Sequence, residues 1–299
     1  TAPLALFHVV MLADAAGREA SRAHLAQLLR DHHLPQPDAQ ATHMRMAVNG
    51  FRVRWELHTE FVTWTFSRVL DDASLASTPP PSAREVLPQD WLAALPGQCL
   101  SQTHLWLLSA QAQGHDDLVR RCLNPDELIG STVADGLGEV YTDLQLHADG
   151  AVRIVLQVGS ATPRRMGRLV QRLLEIETYR MTALLGLPAA REATAVLASA
   201  EGELAELAAA IRSAQREAEP QLLDRLTRLA GQVESQYAAS HARFSASAAY
   251  FELVDRRVDE IAESRLGGLQ TLGQFLHRHL SPARSTCEWA ARRQDALSQ

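Results

Sequence analysis

Glu56, His58 and Glu60 alternate along Trp55-Glu56-Leu57-His58-Thr59-Glu60-Phe61, the stretch of this sequence best suited to chemistry. In an extended chain alternate side chains share a face and lie about 7 Å apart, so a divalent metal ion could bridge two of them and take a third ligand from elsewhere. A carboxylate beside an imidazole is also a pairing that moves protons. The same residues fit a plainer role: the polar face of a half-buried strand, with Arg52 and Arg54 as ion-pair partners. A Glu-x-His-x-Glu run is far less specific than a full ligand set.

Arg165, Arg168, Arg172, Glu175 and Tyr179 form a second constellation, recurring at three- and four-residue steps opposite Leu169, Leu173 and Ile176. One helix face would carry this polar stripe. It suits an anion or an acidic neighbouring domain, and equally a salt-bridged face docked on the protein's own sheet. Asp31-His32-His33 and His277-Arg278-His279 are placed at helix ends, where imidazoles favour the negative end of the dipole. Asp135-Gly136-Leu137-Gly138 lacks a third glycine and precedes a strand, so it reads as a loop rather than a dinucleotide fingerprint. No GxSxG, HExxH or phosphate-loop pattern occurs. Cys99 and Cys122 have no recognisable activating partner and read as buried structural thiols. No catalytic residue is assigned, and the chain reads as a non-enzyme.

The elements that must hold these residues divide at about residue 160. Before it, strand and helix signals alternate: a strand at 8–12, a helix at 18–30, and a hairpin whose arms, 44–48 and 51–57, flank Asn49-Gly50. That dipeptide tolerates the two positive φ angles of a type I′ turn. Phe51, Val53, Trp55 and Leu57 alternate with polar residues, so one face is expected buried. A strand over 61–68 follows. Residues 71–98, with Pro79-Pro80-Pro81 ahead of a Ser82-Ala83-Arg84-Glu85 capping box, read as a surface excursion. Then come a strand at 103–108, a helix at 115–122, and a second hairpin of 139–146 with 152–158 around Asp149-Gly150.

From Thr162 onward the sequence reads as nearly unbroken helix. Prolines and glycines divide it into helices of about 163–185, 188–217, 220–266, 269–280 and 282 onward, with Ser281-Pro282 opening the last. In the third, Leu222, Leu223, Leu226, Leu229, Val233 and Tyr237 fall on one side, as in long antiparallel coiled coils. The fold expected is an α+β (α/β/α-like) domain over 1–160, with a mixed or antiparallel sheet and two β-hairpins. A long-helix antiparallel bundle or coiled-coil region over 161–299 follows it.

Composition narrows the function classes. At 299 residues, 46% hydrophobic and 21% charged, the chain can bury a full core and a helical extension. No stretch approaches the roughly 18 consecutive apolar residues of a membrane-crossing helix, so the residues in hand read as soluble. All 29 basic residues are arginine, a mark of GC-rich coding rather than of function. Residues 1–160 hold 11 arginines against 18 carboxylates, net −7, and residues 161–299 hold 18 against 17, net +1. Nucleic acid is therefore disfavoured as a partner. Three cysteines without a CxxC pair signal neither a disulfide framework nor a thiolate zinc site, and fit a reducing compartment. There is no secretory signal pattern at the start, and the last helix lacks a C-cap.

Several stretches carry a family resemblance. Arg52 through Phe66, Arg172 through Arg180 with Leu184-Leu185-Gly186-Leu187-Pro188, Phe251 through Val258 and Ser281 through Cys287 resemble, in order, a bacterial domain-of-unknown-function family described as predicted membrane-anchored proteins. The resemblance implies a short segment ahead of Thr1 and, past Gln299, a helix and two closely spaced membrane segments. It thereby places the chain on the cytoplasmic side of a bacterial inner membrane. An α/β domain followed by long helices and a membrane hairpin is similar in architecture to CorA-type divalent-cation channels. That similarity implies a homo-oligomer and a divalent ion held by acidic pairs such as Asp71-Asp72, Asp116-Asp117 and Asp126-Glu127, which suit solvated turns and helix starts as well. The alternatives are a non-enzymatic membrane-anchored scaffold or sensor for a protein partner and, behind both, a metal-dependent hydrolase centred on Glu56, His58 and Glu60. Fold analogy does not decide among them.

Overall fold

The computed structural model describes residues 3–71, 73–110, 115–213 and 218–298. The chain is α+β, with one nine-stranded mixed sheet and long C-terminal helices. Two compact units divide it, Thr1–Thr178 with Arg257–Phe275 and Tyr179–Arg256 with Leu276–Gln299.

In the first unit the sheet order is β2-β3-β4-β1-β5-β8-β7-β6-β9. The strands are β1 (Leu4–Leu12), β2 (His43–Val48), β3 (Phe51–Leu57), β4 (Phe61–Val69), β5 (Gln98–Ser109), β6 (Ile129–Val133), β7 (Gly138–Thr142), β8 (Val152–Val158) and β9 (Ser264–Arg265). All pairings between strands are antiparallel except β5 with β8. β1 is buried on both faces, as a central strand must be, and its run of apolar residues broken only by His8 reflects that.

On one face Phe7, Val9 and Met11 of β1, Phe51, Val53 and Trp55 of β3, and Val62, Trp64 and Phe66 of β4 form a single core. Helix α1 (Ala15–Asp31) adds Leu25, Leu28 and Leu29 to it. Residues 83–95 close the same core with Ala83, Leu87, Trp91 and Leu95, so the expected surface excursion is instead a cover for the sheet. Their four-residue spacing is the reason: one side of the 3-10 turn Ala83–Val86 and of α2 (Gln89–Ala93) is apolar. α3 (His115–Cys122) packs on Trp106, Leu108 and Val155 through Leu118, Val119 and Cys122. Helix α4 (Pro163–Leu184) meets the sheet through His8–Thr178 and Arg54–Gln171 hydrogen bonds.

Local chemistry corrects several expectations. The β2–β3 turn has positive φ at Gly50 only (84°), so it is not type I′. β7 stops at Thr142 because Leu144 takes φ 49° and Asp143 turns inward, which leaves a longer connection to β8. A β6–β7 hairpin that was not expected runs over Ala134, Asp135 and Gly136, all three with positive φ.

The second unit consists of parts of α4, α5 (Gly186–Ser213), α6 (Glu219–Glu260) and α7 (Leu272–Ser298). α6 ends at Glu260, short of the expected 266, and the chain then joins the sheet as β9. Residues 214–217 of the expected 188–217 helix lie outside the described residues. The predicted break at Ser281-Pro282 is absent. Pro282 lies inside α7, where Ser281 Oγ donates to the His277 carbonyl and Thr286 Oγ1 donates to the Pro282 carbonyl. Proline costs one backbone hydrogen bond there without ending the helix. On α6 the buried residues are Leu229, Val233, Ser240, Phe244, Ser247, Phe251 and Val254, whereas Leu223 and Leu226 are exposed. Among the described residues no helix is long and apolar enough to cross a membrane.

Candidate functional site

The run from Glu56 to Glu60 does not stay extended. β3 ends at Leu57, His58 donates its backbone N–H to the Phe61 carbonyl at 2.9 Å, and the chain reverses into β4. Glu56 therefore stays on the polar face of β3, where Arg54 Nη2 meets its Oε1 at 2.5 Å. His58 stacks on Phe61 and approaches Thr63 Oγ1 at 3.4 Å, while the Glu60 carbonyl accepts from Ala13 N. Burial holds the His58 imidazole below its ordinary pKa, against the pull of Glu56 and Glu175. Among the described residues no three His, Cys, Asp or Glu side chains are grouped so as to hold a metal ion.

The polar face of β3 leads into α4. Arg54 Nη1 donates to Gln171 Oε1 at 3.2 Å, and Gln171 Nε2 donates to Glu175 Oε1 at 2.7 Å. Glu175 is paired with Arg257, and Arg257 Nη1 with Glu260 at 3.0 Å. Arg172 closes the chain, Nε to Glu260 Oε2 and Nη1 to the Glu260 carbonyl, both at 3.0 Å. Three arginines thus meet three glutamates, all half-buried. The arrangement leaves no net charge for an anion to compensate. Of the remaining stripe residues, Arg165 donates to the Ala134 carbonyl at 3.2 Å, Arg168 is exposed, and Tyr179 stacks on Tyr250 at 6.0 Å.

His8 lies beside this network, 5% exposed, with Nδ1 2.8 Å from Thr65 Oγ1 and Nε2 3.1 Å from Thr178 Oγ1. Thr178 gives its hydroxyl proton to the Leu174 carbonyl at 2.8 Å, so it can only accept from His8. That fixes the proton on Nε2, and Nδ1 accepts from Thr65. Burial, followed by the nearby Arg54, drives the imidazole pKa down to about 3, so His8 is neutral.

A second polar cluster joins residues that no sequence pattern connects. Ser82 Oγ lies 2.7 Å from His104 Nδ1, and Asp149 Oδ2 lies 3.6 Å from His104 Nε2. Arg153 holds Asp149 at 3.1 Å, and nearby Asp143 accepts from Asn124 N at 2.9 Å and faces His147 Nε2 at 3.0 Å. These residues form the composition of a hydrolytic relay, but their geometry serves packing. Ser82 Oγ accepts the Arg84 N–H as the cap of a 3-10 turn, and His104 is sandwiched between Phe7 and Trp106. The neighbouring cleft, about 420 Å³, is lined by Phe7, Arg84, Cys99 and Gln102, and neither Ser82 nor His104 reaches it. Burial takes His104 down to about 4, too weak a base to activate a hydroxyl efficiently near neutral pH.

Compared with known families, residues 1–299 match DUF3422, described as a protein of unknown function. The chain belongs to the DUF3422 family. No curated protein and no solved structure matches it.

Several of the remaining candidates of this DUF3422 chain have structural partners. His32 follows α1, its backbone N–H reaches the Leu28 carbonyl and that of His33 the Arg30 carbonyl; the His32 ring sits edge-on to Phe51. His277 to His279 lie within α7 rather than at its end. Cys122 is buried, which raises its pKa to about 11, and Cys287 is raised by burial as well. Cys99 is exposed, contrary to the burial expected. Of the acidic pairs, Asp72 and the Asp116 side chain lie outside the described residues, Asp117 pairs with Arg121, and Asp126 and Glu127 are exposed.

Proposed function

We propose that this DUF3422 chain is the cytoplasmic part of a protein anchored in a bacterial inner membrane, working as a scaffold or sensor without a catalytic centre. Its sheet unit receives a partner, and its long helices carry that unit away from the anchor. The observation that supports this reading is α6, whose 42 residues span roughly 60 Å at 1.5 Å per residue. Its buried line advances by threes and fours from Ser240 to Val254, and so does that of α5 through Gly186, Ala190, Ala193, Leu197 and Ala200. Such spacing suits the seam of antiparallel helices packed as in a coiled coil. Helices of that kind act as stiff spacers.

A CorA-like divalent-cation transporter is the second reading, with the ion as cargo and the assembly a homo-oligomer. The order of elements, sheet unit first and long helices after, favours it, together with the exposed Asp126 and Glu127 as places for a hydrated cation.

Expression with the natural flanking sequence tests both. Recovery in the inner-membrane fraction after alkaline washing is the expected result, and recovery in the soluble fraction would overturn the anchoring. Reconstitution of that protein in liposomes then separates the readings: magnesium or zinc flux selects the transporter, and its absence leaves the scaffold.

A further inference from the structure

We propose that the cleft between residues 83–95 and strands β1 and β5 binds a small monocarboxylate with an apolar body, its carboxylate held by Arg84. The proposal adds a ligand to the sheet unit and does not depend on the anchoring proposed above.

The cleft, about 420 Å³, has the size of ordinary ligand sites. Phe7, Val9 and Met11 of β1 form its floor, and Leu92 and Leu95 close one side. β5 forms the other side, and here the strand is irregular. Val9 stands opposite Gln102 and Met11 opposite Cys99, so Leu100 is the extra residue of a β-bulge. In a regular strand Cys99 and Gln102, three residues apart, would fall on opposite faces of the sheet. The bulge turns both toward the cleft, where Gln102 Nε2 donates to Cys99 Sγ at 3.5 Å. β8 first pairs with β5 at Thr103, so among the described residues 98–102 are a free edge on the side away from β1. No strand bars the cleft there.

Arg84 supplies the positive charge. Its guanidinium lies 5.8 Å from the centre of the Phe7 ring, and Nη1 donates to the Asp149 carbonyl at 3.3 Å. The carboxylates of Glu85 and Asp149 are turned instead to Arg68 and Arg153. Among the described residues Arg84 therefore pairs with no carboxylate, and its Nε–Nη2 edge has no acceptor. That edge presents two parallel N–H donors, the fork that a carboxylate accepts in bidentate fashion. Asp90 is the other charged residue of the lining, exposed in the first turn of α2. One free cation and one rim anion suit a single negative charge placed near Phe7, with the apolar body along Val9 and Met11. An amine in the same position would meet the guanidinium.

Cys99 reports on the cleft. It is exposed whereas Cys122 and Cys287 are buried, so alkylation of the native chain by N-ethylmaleimide follows Cys99. The probes are decanoate, decanol and decylamine, matched in chain and different in head group. Decanoate should slow the alkylation saturably, decanol more weakly, and decylamine least. Arg84→Gln should weaken protection by decanoate about ten- to hundredfold, the worth of a hydrogen bond to a charged group, and leave protection by decanol unchanged. Alkylation unchanged in millimolar decanoate would overturn the proposal, and so would equal protection by decanoate in Arg84→Gln. Stronger protection by decylamine would overturn it too, assigning the cleft to cations through Asp90. The head-group series uses the wild type alone, so it decides the matter even where Arg84→Gln lowers the thermal midpoint.

Discussion

His8 Nε2 donates to Thr178 Oγ1 at 3.1 Å, tying the central strand to α4 across 170 residues of sequence. Thr65 gives its proton to the other ring nitrogen at 2.8 Å, so the neutral imidazole is satisfied on both sides and buried. A charged ring would have to reverse the Thr65 bond and sit buried beside the Arg54 charge. The group is therefore part of the structure only in its neutral form.

A pH dependence follows with a defined sign. His8 has an ordinary pKa near 6.5 and one of about 3 in the folded protein, so between those values the unfolded chain binds the extra proton. Its contribution is complete above pH 6.5 and is lost as the pH falls toward 3. Denaturant melts from pH 7 to 4 should show the wild type weakening more steeply than His8→Leu. At pH 7 that variant should cost about 1–3 kcal/mol, the penalty for the stranded Thr65 hydroxyl. Equal slopes would remove His8 from the account.

Ser82→Ala separates a packing role for the Ser82–His104 pair from a catalytic one. The hydroxyl accepts from Arg84 N at 3.1 Å and joins His104 at 2.7 Å, so its loss should cost about 1–3 kcal/mol in a urea melt, cap and buried bond together. Ester hydrolysis should equal the buffer rate with or without it. Labelling of Ser82 by a fluorophosphonate would contradict the packing role.

Much of the sheet was legible because strands announce themselves by period. Phe51, Val53 and Trp55 alternate with Arg52, Arg54 and Glu56, and the structure divides them between the core and the polar face. The turn at His58 was hidden because polar residues fit a loop and an exposed strand edge equally well. Ala83, Leu87, Trp91 and Leu95 were present as a four-residue repeat, yet the prolines before them suggested a loop. The Ser82–His104–Asp149 cluster was beyond sequence reading altogether, since a cap, a strand and a turn meet only after the sheet has formed. Pro282 misled in the opposite way: burial of Leu276 and Leu280 before it and of Cys287 and Ala290 after it outweighs one missing bond.

Metal removal should change nothing measurable. Glu56 is paired with Arg54, and the chain reverses before Glu60, so among the described residues no set of three ligands converges. Chelation should leave the thermal midpoint unmoved, and zinc titrated into the chain should give the same heat for wild type and for Glu56→Gln with His58→Ala. A stoichiometric zinc site lost in that variant would restore the metal reading of the three residues.

Two glycines in long helices should respond to alanine with opposite signs. A Cβ on Gly186 would lie 2.5 Å from Ser247 Oγ, 2.9 Å from Ser247 Cβ and 3.0 Å from Cys287 Sγ, so α6 and α7 would both have to yield. Overpacking of that kind costs about 1–3 kcal/mol, more than the roughly 1 kcal/mol that alanine gains over glycine in a helix. Gly231, exposed on α6 with nothing within 4 Å of its would-be Cβ, keeps only the gain. Gly186→Ala should therefore lower the unfolding midpoint and Gly231→Ala should raise it, by about 0.5–1 kcal/mol. If both rise, the close approach of three helices at Gly186 is not what makes glycine necessary there.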